Sequence, residues 1–120
     1  MNREIKFRVW NNYKKEMSPC FEIEHLPARY KKVVENQPGS AFLQYTGLRD
    51  KLGHEVYESD LIVNGSRNGK RPHKVEFLDG KFVGIYGRLC YDLYCELHEI
   101  EIVGNVCENP ELLEKMEGVE

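Results

Sequence analysis

The side chains best suited to chemistry in this chain fall in three places. Residues 64–74, NGSRNGKRPHK, gather Arg67, Lys70, Arg71 and Lys74 on a stretch with two Asn-Gly pairs and no apolar side chain. Such a loop stands in water, and its cations suit the phosphates of a nucleic acid or another anion. It is not a nucleotide phosphate loop. Between Gly65 and Gly69 lie three residues instead of four, and Arg71 stands where magnesium chemistry needs Ser or Thr.

The second group, Cys90, Cys95, His98 and Cys107, has the composition of a structural zinc set, one His with three Cys. Its spacing argues otherwise, because Cys90 and Cys95 are five apart with no glycine turn between them. Reduced thiols packed as small hydrophobes are the expected state. His25, His54, His73 and His98 form no motif with a serine, cysteine or acid, so no hydrolytic triad is legible. No catalytic residue, metal or cofactor is assigned, and an enzyme is not expected.

The third place is LQYTGLRDKLGHEVYESDLIV, residues 43–63, where Tyr45, Tyr57 and Asp60 suit a ligand pocket. Two phenols and one carboxylate are equally an ordinary hydrogen-bonded rim of a core, and packing is the preferred reading. Tyr45, Leu48, Val56, Tyr57, Leu61 and Val63 should then be buried, with Arg49, Asp50, Lys51 and Glu58 facing water. Gly47 and Gly53 should bracket a turn, and Asp60 should cap the backbone at the start of a strand.

The elements that must position these groups read as strands. EIKFRVW alternates, with Ile5, Phe7 and Val9 on the expected core face and Lys6, Arg8 and Trp10 on the other. A polar turn over 11–16 leads to a second strand through Phe21 and Ile23, and residues 28–37 form a short helix or an irregular loop. Strands follow at 40–46, 54–57 and 61–63. Asp79-Gly80, between Val75/Phe77 and Phe82/Val83/Ile85, is the strongest hairpin signal, since Asp-Gly suits the positive φ angles of a type I′ turn. Residues 89–97 fit a strand better than the helix that Leu89, Leu93 and Leu97 also allow, and a last strand starts at Ile100. Asn109-Pro110-Glu111 opens a short helix through Leu112, Leu113 and Met116.

These elements describe a mainly β domain, between all-β and α+β. The expected form is a small SH3-like antiparallel β barrel over 47–107, with an N-terminal β extension over 1–46 covering a strand edge. A short helix and acidic tail complete it over 108–120. The whole chain, 120 residues at 41% hydrophobic and 31% charged, is then one globular domain. No stretch is long and apolar enough to span a bilayer, and MNREIKFR lacks the apolar core of a secretion signal, so a cytoplasmic location is expected. The net charge of -3 is segregated: six basic against two acidic side chains over 64–90, eight glutamates against Lys115 over 96–120.

Four segments resemble the YopX family of bacteriophage and prophage proteins: IKFRVW with Met17, residues 43–63, KVEFLDGKF at 74–82 and IEIVGNVCENPELL at 100–113. Residues 18–39 and 84–98 lie outside the resemblance. Ser59 departs from the usual glycine of the pattern, Leu52 from a turn asparagine and Cys107 from an aromatic. The family implies a phage or prophage origin and carries no assigned molecular function. The expected function is therefore a protein-interaction or self-assembly module whose partner is a host or phage protein or a second copy of itself. The alternative is a nucleic-acid-binding β barrel using the basic loop 64–74.

Overall fold

The structure is a computed structural model that describes residues 4–64, 72–86, 88–93 and 99–111. It is mainly β, with antiparallel sheets curled into a half-barrel and one well-formed helix. Among the described residues ten strands run in chain order as β1 (Lys6–Asn11), β2 (Glu16–Met17), β3 (Phe21–Glu22), β4 (Ala41–Arg49), β5 (Glu55–Tyr57), β6 (Asp60–Asn64), β7 (His73–Leu78), β8 (Lys81–Tyr86), β9 (Leu89–Asp92) and β10 (Ile100–Asn105), with the helix α1 at Ala28–Asn36. They form two five-stranded sheets, β2-β1-β4-β5 with β3 added on β1, and β10-β6-β7-β8-β9. No helix among the described residues is long and apolar enough to cross a membrane.

The β7–β8 hairpin follows its turn chemistry. Asp79 (φ 52) and Gly80 (φ 82) both take positive φ, as a type I′ turn requires, and the strands pair in register from Leu78↔Lys81 to Lys74↔Ile85. β6 closes on β10 with a bulge at Val103, between the pairs Ile102↔Ile62 and Gly104↔Leu61. Leu48 and Val56 from the first sheet meet Ile62, Val75, Phe82 and Ile100 from the second, and Leu93 just after β9, so one apolar cluster joins the two sheets.

Several expectations need correction. β1 has two covered faces: Val9 is 2% exposed on one, and Trp10 is 4% exposed on the other, which also carries Lys6 and Arg8. α1 packs against β1 on the first face, and on the other Arg8 reaches Asp60 at the start of β6 while Lys6 reaches Glu55 on β5. Ile23 is not in a strand; after a last rung from its N–H to the Ile5 carbonyl (3.3 Å), residues 23–25 turn into a 3-10 helix. Residues 28–36 are the helix rather than the loop. Gly47 (φ 85) lies inside β4 where the pairing with β5 shifts register, so it serves a bulge, and the turn belongs to Gly53 (φ 88). Val63 is half-buried.

Asp50 does not face water; it is 5% exposed. Its turn and the neighbouring strand β10 present backbone donors that need an acceptor, and the carboxylate supplies it. Oδ1 accepts from Leu52 N–H (3.0 Å) and His54 N–H (2.9 Å), and Oδ2 from Ile102 N–H (3.0 Å). Burial alone pushes this carboxyl up, but the three backbone donors outweigh it and hold the group below the usual aspartate range. One side chain thus closes the β4–β5 turn and ties it to the far sheet.

Candidate functional site

Register brings the phenols together. Tyr45 on β4 sits opposite Tyr57 on β5, their rings 5.5 Å apart and tilted by 39°. Because side chains alternate along β1, Lys6 and Arg8 share the face that looks at these rings. Lys6 Nζ lies 4.8 Å from the Tyr45 ring centre and the Arg8 guanidinium 4.3 Å from that of Tyr57. Two cations therefore cover two stacked phenols, an arrangement that strengthens as water is excluded.

Each cation is also matched by a carboxylate. Lys6 donates to Glu55 and lies 3.0 Å from Glu4, and these acids raise its ammonium pKa, the hydrogen bond to Glu55 first among the causes. Arg8 Nη2 donates to Asp60 Oδ1 at 2.6 Å. Asp60 also accepts from Tyr57 N–H at 2.7 Å and Asn105 Nδ2 at 3.0 Å, with its side chain 3% exposed. Burial nevertheless wins and leaves the Asp60 carboxyl above its ordinary range, against the pull of Arg8 and the hydrogen bonds. Tyr57 donates its hydroxyl to Glu55 Oε1 at 3.2 Å, and burial first, then the neighbouring Cys20 and Glu55, push the phenol far up. It is a fixed hydrogen-bond donor at any physiological pH.

Beside this network a cleft of about 310 Å³ is lined by Arg8, His54, Glu55, Asp60, Asn105 and Glu108 among others. Tyr45, Tyr57 and Asp60 come together through packing and hydrogen bonds between strands, but of the three Asp60 alone lines the cleft. Lys6, Arg8, Glu55 and Asn105 complete the cluster and were not singled out from the sequence. The only local signal for them is the charged alternation of Lys6 and Arg8 within EIKFRVW. The seam is polar and charge-paired: among the described residues Glu55 is met by Lys6 and the Tyr57 hydroxyl, and Asp60 by Arg8, the Tyr57 N–H and Asn105.

The basic-loop residues Arg67, Lys70 and Arg71 lie outside the described residues. Lys74, at the start of β7, points its ammonium to Glu76 at 2.7 Å. Of the sulfur group, Cys90 is exposed and Cys107 half-buried, while Cys95 and His98 lie outside the described residues. Cys20 is exposed as well. Of the C-terminal helix, Pro110 and Glu111 are described as helical, and the Asn109 side chain accepts from Asn105 N–H at 3.0 Å. The remainder, from residue 112, lies outside.

Comparison with known proteins places the chain. It is similar to protein EF1440 from Enterococcus faecalis, whose crystal structure matches with a TM-score of 0.66 at 25% identity, over 93% of this chain and 99% of that one. It also resembles in fold the crystal structure of protein yopX from Bacillus subtilis, with a TM-score of 0.56 at 18% identity, over 93% of this chain and 98% of that one. No curated protein matches. The family model for YopX protein matches residues 6–114, which include both sheets, the Asp50 turn and the Lys6–Arg8–Asp60 seam; the chain belongs to the YopX family.

Proposed function

We propose that this chain is a protein-interaction or self-assembly module, acting inside a bacterial cell on a host or phage protein or on a second copy of itself. The observation that carries this reading is the incompletely covered helix-side face of the first sheet. There Phe7, Phe21, Tyr30 and Phe42 form an edge-on and tilted aromatic cluster, none of them fully buried. α1 contributes no buried residue, and Ile5 and Ile23 are 46% and 49% exposed beside one another. A sheet face of this composition is of the kind that partners cover.

Light scattering across a concentration series tests the reading. Association that rises with concentration and weakens in Ile23→Glu supports it. A monomer at every concentration, together with no host protein retained on the immobilised chain, removes it. The alternative, nucleic-acid binding through Arg67, Lys70, Arg71 and Lys74, is favoured by the basic excess of that loop and weakened by the pairing of Lys74 with Glu76. Its test is retention of DNA or RNA at low salt, expected to vanish when the loop arginines and lysines are replaced.

A further inference from the structure

On the helix-side face of the first sheet a groove of about 360 Å³ opens between β1, β2 and α1. Val9, Met17, Tyr30 and Val33 contribute its apolar walls, and Lys14 and Arg29 bring cations to it. Both cations are exposed, and among the described residues neither is paired with an acid, although Glu16 also lines the groove. Gln37 adds an amide oxygen that is buried without a donor among the described residues. The occupant that fits is therefore an apolar segment edged with carboxylates and bringing backbone N–H groups.

The chain itself encodes such a segment. Residues 108–120, ENPELLEKMEGVE, set Leu112, Leu113 and Met116 among Glu108, Glu111, Glu114, Glu117 and Glu120, with Lys115 as the one cation. We infer that the groove under α1 binds the acidic C-terminal segment of a second copy of this chain; the inference rests on the self-assembly reading above and names its contact. Strand alternation favours binding in trans, because it sets the last described residues of the same chain on the other side of the first sheet. Val9 lines the groove, whereas its neighbour Arg8 points to the opposite face of the sheet, where Glu108 lines the same cleft as Arg8 and Asp60. The first sheet stands between the groove and the last described turn of its own chain. Reciprocal exchange of the two segments gives a closed two-fold dimer, the commonest symmetric assembly.

The test uses the full-length chain and a fluorescently labelled peptide of residues 108–120, followed by anisotropy. Saturable binding is expected, weaker at high salt, and reduced about tenfold or more by Lys14→Glu with Arg29→Glu, two exposed positions whose replacement leaves the core untouched. A peptide carrying Glu111→Lys, Glu114→Lys and Glu117→Lys should lose the wild-type chain and recover the charge-reversed one. The same double variant should weaken self-association in sedimentation. If the peptide does not bind while the chain still associates, and the double variant leaves that association unchanged, this contact is wrong and the self-assembly reading survives. If the peptide binds but the chain is monomeric at every concentration, the second copy is wrong. If the peptide fails and the chain is monomeric, this contact and self-assembly both fall, and only binding to a host or phage protein is left of the reading above.

Discussion

Removing the Asp60 carboxylate should unbalance the seam more than removing its partner. In Asp60→Ala, the Arg8 guanidinium, the Tyr57 N–H and the Asn105 amide lose their common acceptor together. Arg8 remains largely enclosed, its side chain 22% exposed, with Nε already lacking a partner. Breaking a buried pair on one side costs about 3–5 kcal/mol, and an orphaned buried donor about 1–3 kcal/mol. Some of the freed donors will find water, so a loss of about 4 kcal/mol is expected. Arg8→Met should cost less, about 1–2 kcal/mol, because Asp60 keeps two donors and its already raised carboxyl can take a proton. In the double variant both charges are gone, and the total should fall short of the sum by about 2 kcal/mol or more. Urea denaturation of the four proteins reads this directly, with a midpoint shift of about 2 M for Asp60→Ala at a slope of about 2 kcal/mol/M. If Asp60→Ala is too unstable to measure, Asp60→Asn, which keeps one acceptor oxygen, replaces it in the cycle with the same sign of coupling. Additivity within about 0.5 kcal/mol, or an Asp60→Ala cost below about 1 kcal/mol, would refute the reasoning.

Ser59 holds φ 69 on the turn between β5 and β6, so Ser59→Gly should raise stability by about 1 kcal/mol, measured as a rise in the denaturation midpoint. Tyr57→Ala should cost about 3 kcal/mol or more as a 3% exposed ring is lost, whereas Tyr57→Phe, which keeps the ring and removes the hydroxyl with its bond to Glu55, should cost about 1 kcal/mol. Titration separates the two buried aspartates. Asp50 is held below its unfolded pKa of about 3.9, so its contribution is present above that value and lost as pH falls through the folded one; the gap between wild type and Asp50→Asn should narrow on acidification. Asp60 is raised, so its contribution is full below the unfolded pKa and declines as pH rises through the folded one; wild type should gain on Asp60→Asn as pH falls. Thermal melts between about pH 2 and 7 check both signs, and slopes of equal sign would contradict the assignment of the two environments.

What could be read from the chain was whatever its local chemistry decides. Asp79-Gly80 specifies a type I′ hairpin within a handful of residues, whereas position 59, where Ser59 takes φ 69, stood out only through the glycine usual in the family pattern. Alternation in EIKFRVW revealed a strand but not that both of its faces are covered, because that depends on α1 and on the second sheet. The seam was only half legible for the same reason. Tyr45, Tyr57 and Asp60 lie within one segment, whereas Lys6 and Arg8 reach their carboxylates across 49 and 52 positions of sequence. Asp50 looked like an ordinary turn acid because two of its three donors are local, and the third, Ile102 N–H, is 52 positions away.

That third bond bears on how a sheet margin is covered. Among the described residues β10 ends its sheet, and its outer margin would normally offer a row of backbone groups on which a foreign strand could grow. Here the Asp50 carboxylate plugs the Ile102 N–H, the Lys51 N–H occupies the Ile100 carbonyl at 3.0 Å, and Asn109 closes the Asn105 N–H. The margin is sealed by a turn and two side chains instead of by another strand. Its weakest stopper is a titratable one: acid that protonates Asp50 loosens the seal at mid-strand, so templated aggregation should set in at low pH before the core itself gives way.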